Sequence, residues 1–97
     1  MNIIVKIENE LIIGRVETKD ESQLIGEEII TLLHPRMIQI VPANKKMEMM
    51  LFPLIGISET LTVKMDKITY FGKCNDEGIN KSYLQATSKL TLIGNVN

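Results

Sequence analysis

One histidine, one cysteine and a scatter of lysines are nearly all that this 97-residue chain offers to chemistry. His34 has no second histidine to share an ion with, so a multi-histidine metal centre within one subunit is excluded. Standing beside Pro35, its expected role is to hydrogen-bond a turn. Cys74 has neither histidine nor cysteine near it and reads as a buried or half-exposed thiol, not a nucleophile. Glu27 and Glu28 are consecutive, and consecutive strand residues point to opposite faces, so they form no acid–base pair. These residues supply no nucleophile–base pair for a hydrolase. The chain reads as a non-enzyme, with no metal and no cofactor. What remains is electrostatic: Lys45-Lys46, Lys64 and Lys67 are either phosphate contacts or simply solvated corners.

Composition narrows the setting. Residues 1–97 make one domain, with no room for a second core. A chain of this size buries only about 60–65% of its unfolded surface, so stability is expected to lean on assembly. The 44% hydrophobic content with 4% aromatic implies an aliphatic core, and isoleucine dominates it, which favours pleated strands. A net charge of −1 exerts no long-range pull on nucleic acid. One cysteine precludes an internal disulfide and fits a reducing compartment. No basic n-region precedes the first apolar run, and the longest uncharged apolar run, residues 49–58, is far shorter than a membrane span and contains Pro53. A cytoplasmic protein with no membrane partner is expected.

The elements that must position these side chains are mostly strands. Residues 3–7 are a β-type run, Glu8-Asn9-Glu10 a hairpin corner in which Asn9 tolerates positive φ, and residues 11–18 a second run. Gly14 inside that run marks a bulge or bend. Lys19-Asp20-Glu21-Ser22-Gln23 is a solvated loop. Residues 24–41 are one long bent strand broken by His34-Pro35, where proline implies a bulge, an edge or a turn. After the loop Pro42-Ala43-Asn44-Lys45-Lys46, residues 47–65 form another long strand bent by Pro53 and Gly56. Within it Leu61, Val63 and Met65 alternate with Thr60, Thr62 and Lys64. Asp66-Lys67 turns into residues 68–71. Beyond Gly72, Asn75 or Asp76 caps a helix over about 79–90, striped by Ile79, Tyr83, Ala86 and Leu90. The strands thus occupy about residues 3–73.

Five strands in hairpin order resemble the Sm-like fold, a small, strongly bent five-stranded barrel, here with a short C-terminal helix. The opening strand–turn–strand ending in Gly14-Arg15-Val16 resembles the first Sm motif. Val63-Lys64-Met65-Asp66-Lys67-Ile68 resembles the second. With Leu33-His34-Pro35 and a tyrosine-bearing last helix, the chain is similar to the divergent Sm-like proteins of marine T4-like bacteriophages. The departures matter. Relatives that bind uridine use an Asp-x-x-x-Asn loop and an Arg-Gly corner, whereas Lys64 and Met65 stand at the corner here. If residues 19–23 are the loop, Asp20 is its one acidic match. If residues 34–38 are, His34 replaces the Asp and Ile38 the Asn. Neither register rebuilds the pocket.

The resemblance implies a homo-oligomeric ring of about five to seven copies that binds single-stranded RNA or acts as an RNA chaperone. Lys19, Asp20, His34, Lys64 and Lys67 are then the candidate RNA contacts, with His34 open to stacking on a base around the pore. In Sm-like rings the fourth strand pairs with the fifth of the next subunit. Met47, Met49 and Leu51 on one side, with Ile68 and Tyr70 on the other, are therefore the interface candidates. The alternative is a phage structural or assembly module whose ring carries no nucleic acid. Either works in the cytoplasm, which is the host cytoplasm if the chain is phage-encoded.

Overall fold

The consecutive isoleucines of the first twenty residues are explained by a sheet buried on both faces. In the computed structural model, which describes all residues except Ile55, Ser58 and Asn97 and side chains through Ser88, six strands form one antiparallel sheet. They are β1 (Asn2–Ile7), β2 (Glu10–Arg15), β3 (Ile29–Ala43), β4 (Lys46–Pro53), β5 (Thr60–Lys64) and β6 (Tyr70–Lys73), followed by helix α1 (Glu77–Val96). The sheet order is β4-β3-β2-β1-β6, with β5 also pairing β3. Ile3, Val5, Ile12, Ile30 and Leu32 fill an inner core that also takes in Leu61, Val63, Met65, Ile68 and Phe71. Ile13, Cys74 and Tyr83 form a second core on the other face with Ile4, Ile38, Leu51 and Ile79 of α1. Neighbours such as Ile3 and Ile4, or Ile12 and Ile13, thus serve opposite faces.

Two expectations about strand count and closure are corrected. Residues 47–65 are not one strand. Pro53 ends β4, and Gly56, at φ +80, turns the chain in a left-handed conformation before β5 begins. Both pieces pair with β3, β5 along Ile29–Leu33 and β4 along Arg36–Ala43. Among the described residues the sheet is also not a closed barrel: β4 and β5 pair only with β3, and β6 pairs only with β1.

The bend falls where the glycine and the proline were expected to make one. Between the pairs Ile13↔Arg36 and Arg15↔Leu33, a single residue of β2, Gly14, faces two of β3, His34 and Pro35. His34 takes φ +51, and the extra residue shifts the side-chain alternation by one. Ile30 and Leu32 point inward before the bulge, and after it Met37 is the residue that pairs with the core residue Ile12 and so shares its face. A Cβ on Gly14 would stand 2.8 Å from the Leu32 Cβ, so only glycine lets the two strands approach this closely.

The turns correct smaller expectations. Ile7↔Glu10 closes the first hairpin around Glu8-Asn9, and Glu8, not Asn9, adopts positive φ. Asn44 and Lys45, at φ +48 and +67, make a two-residue hairpin between Ala43 and Lys46, so the expected five-residue loop is mostly strand. The solvated stretch holds a 3-10 turn, Glu21–Leu24, closed by a capping box between Asp20 and Gln23. Asp76 caps α1 by accepting from the Ile79 N–H at 2.9 Å. The helix is longer than its apolar stripe implied, and Leu90 lies outside the described side chains. Among the described residues no helix is long and apolar enough to cross a membrane.

Candidate functional site

The candidate RNA contacts lie on several different elements. Lys19 and Asp20 are exposed at the 3-10 turn. The Asp20 carboxylate caps that turn by accepting from the Ser22 N–H at 3.1 Å. Lys64 ends β5, and Lys67 lies in the turn Met65–Lys67. The β3–β5 ladder continues past Lys64, with Met65 N–H donating to Glu28 O at 2.9 Å. That bond draws the end of the loop onto the corner. Glu27, Glu28, Ile29, Lys64, Met65 and Asp66 consequently line one groove. Glu27 and Glu28 precede β3 instead of lying within a strand, so alternation does not separate them as expected; the groove gathers three acidic residues and one lysine, and a surface of that composition repels a phosphate chain. Among the described residues no group of three or more His, Cys, Asp and Glu is placed to hold a metal ion.

His34 does what its place beside Pro35 suggested, within a larger network than the sequence reveals. Its Nδ1–H donates to Glu59 Oε2 at 2.6 Å, and its main-chain N–H donates to Glu59 O at 2.7 Å. Glu59 also meets the buried Arg36, Nη2 to Oε2 at 3.6 Å, while Arg36 Nη1 donates to Pro35 O at 2.8 Å. The His34 hydrogen bond, with help from the Arg36 charge, outweighs desolvation and holds the Glu59 carboxyl below its ordinary range. Tyr83, fully buried on α1, donates its hydroxyl to Leu33 O and His34 O at 2.9 and 3.0 Å. Burial pushes that phenol up. Helix, bulge and the chain entering β5 are thereby tied together. Nothing in the sequence joined Arg36, Glu59 and Tyr83, because the three become neighbours only when the bulge forms.

The sheet edges carry more. The hairpin closes on Ala43↔Lys46, and the alternation of an antiparallel ladder then turns Lys46, Glu48, Met50 and Phe52 toward β3. The main chains of Met47, Met49 and Leu51 face outward. Both strand prolines obey this pattern: Pro42 and Pro53 occupy positions where the β3–β4 ladder needs no N–H. Met47 is 66% exposed beside the 64% exposed Ile40, and on the far edge Tyr70 is 62% exposed. Phe52, Pro53, Leu54, Ile57 and Met37 line an open, largely apolar groove beside β4. Of the interface candidates, Met47 and Tyr70 lie free on the surface and Met49 is half-buried. Leu51 and Ile68 pack into the second and first cores. No family model matches this chain, and no curated protein matches it either.

Proposed function

We propose that this chain is a non-enzymatic Sm-like subunit that assembles with itself by pairing its open strand edges into a ring of about five to seven copies. One observation carries the reading: β4 presents the outward main chains of Met47, Met49 and Leu51 along an edge flanked by exposed apolar side chains. An edge of that kind is a template for another strand. Counted as two halves of one interrupted strand, β4 and β5 are the fourth of five and β6 the fifth. Those are the strands that meet between subunits in Sm-like rings. The free, buried Cys74 fits a reducing cytoplasm. The role is structural, that of an assembly module.

Binding of single-stranded RNA is the second reading. The adjacent, exposed Lys45 and Lys46 at the β3–β4 hairpin favour it, since a ring would repeat them around its axis. The acidic groove around Lys64 opposes it. Light scattering after size exclusion tests the first reading: a single closed oligomer is expected, and a monodisperse monomer at micromolar concentration refutes it.

A further inference from the structure

One of the two outward-facing amides on β6 is already occupied. Cys74 N–H donates to Asn2 O at 2.9 Å, which makes Asn2 and Cys74 a bonded pair continuing the β1–β6 register. Alternation along that ladder turns Gly72 and Tyr70 toward β1 and leaves Phe71 and Lys73 facing away. The Lys73 N–H donates to Glu21 Oε2 at 2.9 Å. Glu21 is distant in sequence and is delivered by a built turn, not a loose loop. The Gln23 side chain accepts from the Lys19 and Asp20 N–H groups at 3.0 and 3.2 Å, and the Asp20 side chain accepts from Ser22 N–H. A carboxylate on a main-chain amide is a charge-assisted bond, stronger than the amide–carbonyl bond of an ordinary ladder.

We propose that Glu21 gates the β6 edge. In the free subunit it satisfies the Lys73 amide and blocks strand addition, and it must swing away before β4 of a second copy can pair along β6. The proposal rests on the edge-pairing reading above. It adds what that reading lacks, a reason why β6 is not indiscriminately sticky before assembly. Among the described residues nothing seals the β4 edge at Met49 in this way, so the two edges are unequal: one is ready and the other is guarded.

Sedimentation equilibrium of the full chain tests this, with Glu21→Ala, Glu21→Gln and Met49→Pro beside the wild type. The alanine variant is expected to half-associate at about tenfold lower concentration, the low end for one hydrogen bond to a charged group no longer having to be broken. The glutamine variant keeps an acceptor without the charge and should fall between. In dilute, dissociated samples the Lys73 amide should exchange its hydrogen faster in Glu21→Ala than in the wild type. Melting temperatures within a few degrees of one another establish that all variants fold. Met49→Pro removes an outward N–H without touching the β3–β4 ladder and should disperse the oligomer. If it does so while Glu21→Ala associates no more tightly than wild type, the gate fails and edge pairing stands. If wild type and Glu21→Ala both remain monomeric, both ideas fail.

Discussion

Tyr83 joins the helix to the bulge through one oxygen atom, and Tyr83→Phe isolates the worth of that atom. The ring packs with Ile13 and Cys74 in the second core, and phenylalanine keeps all of that contact. Only the hydroxyl is lost, and with it the donor shared by Leu33 O and His34 O. A neutral hydrogen bond contributes about 1 kcal/mol net, and leaving a buried acceptor unpaired costs about 1–3 kcal/mol. Both carbonyls are only partly buried and regain some water, so the expected loss is about 1–2 kcal/mol. For a domain of this length, that corresponds to roughly 4–16 °C in melting temperature. The melts should be run at one protein concentration, since assembly makes the midpoint concentration-dependent.

The same substitution has a signature in pH. Burial raises the Tyr83 pKa above its ordinary value of 10.0, so the folded state holds the phenol proton more tightly than the unfolded chain does. The resulting stabilisation is complete below the unfolded value and declines as pH rises past it toward the folded value. Wild type should therefore lose stability on the alkaline side, and Tyr83→Phe should lose less, so the two curves converge above pH 10.0. A phenylalanine variant that melts within about a degree of wild type near neutrality would refute the reasoning, because packing alone would then hold the helix to the bulge.

Four further outcomes are expected. Gly14→Ala forces a Cβ to 2.8 Å from the Leu32 Cβ, a contact no rotamer relieves, and should destabilise by about 1–3 kcal/mol in chemical denaturation. Leu51→Glu should destabilise the fold, since it sets a charge at a half-buried position packed against the second core, whereas Met47→Glu should leave a folded subunit that no longer assembles; circular dichroism and light scattering separate the two. Glu59 has its pKa lowered by His34 and Arg36, so its contribution is present above the unfolded carboxyl value and is lost as pH falls through the folded one. Glu59→Gln should flatten the acid side of the stability profile. In fluorescence anisotropy against oligo-U, oligo-A and a mixed sequence, any binding should be sequence-blind, with a log–log salt slope of about −0.7 per contact. Lys67→Ala should reduce that slope and Lys64→Ala should not, because three carboxylates line the groove with Lys64; strong oligo-U preference would reveal a pocket.

Local grammar was legible in the sequence wherever one residue dictates its own backbone. Gly14 and Pro35 announced a bend without knowledge of each other, and the register places them opposite one another in the same bulge. The alternation of Leu61, Val63 and Met65 marked a face that does line the inner core. The break between β4 and β5 was harder to read. Pro53 and Gly56 mark a bend in the chain, yet whether a bend interrupts a ladder depends on the partner. Here that partner, β3, has its own discontinuity at His34-Pro35, between the stretches that pair β5 and β4.

The site was less legible because charge on a chain and charge on a surface are different quantities. Lys64 and Lys67 stand close in sequence, with Asp66 the only acid between them, so the corner reads as basic. Glu27 and Glu28 lie far away in sequence, and nothing local links them to that corner. The antiparallel β3–β5 pairing carries them to that corner, since Ile29↔Lys64 fixes the register and Glu28 O accepts from Met65 N–H one pair further on. A ring would repeat this groove in every subunit and multiply its acidic excess with it. The symmetry that could build a crown from isolated lysines therefore builds an anionic one at this corner. Of the cations outside it, Lys45 and Lys46 stand side by side at the tip of the β3–β4 hairpin. Pairing along the strand edges needs no such charge, and for that reason self-assembly is the stronger reading of this fold.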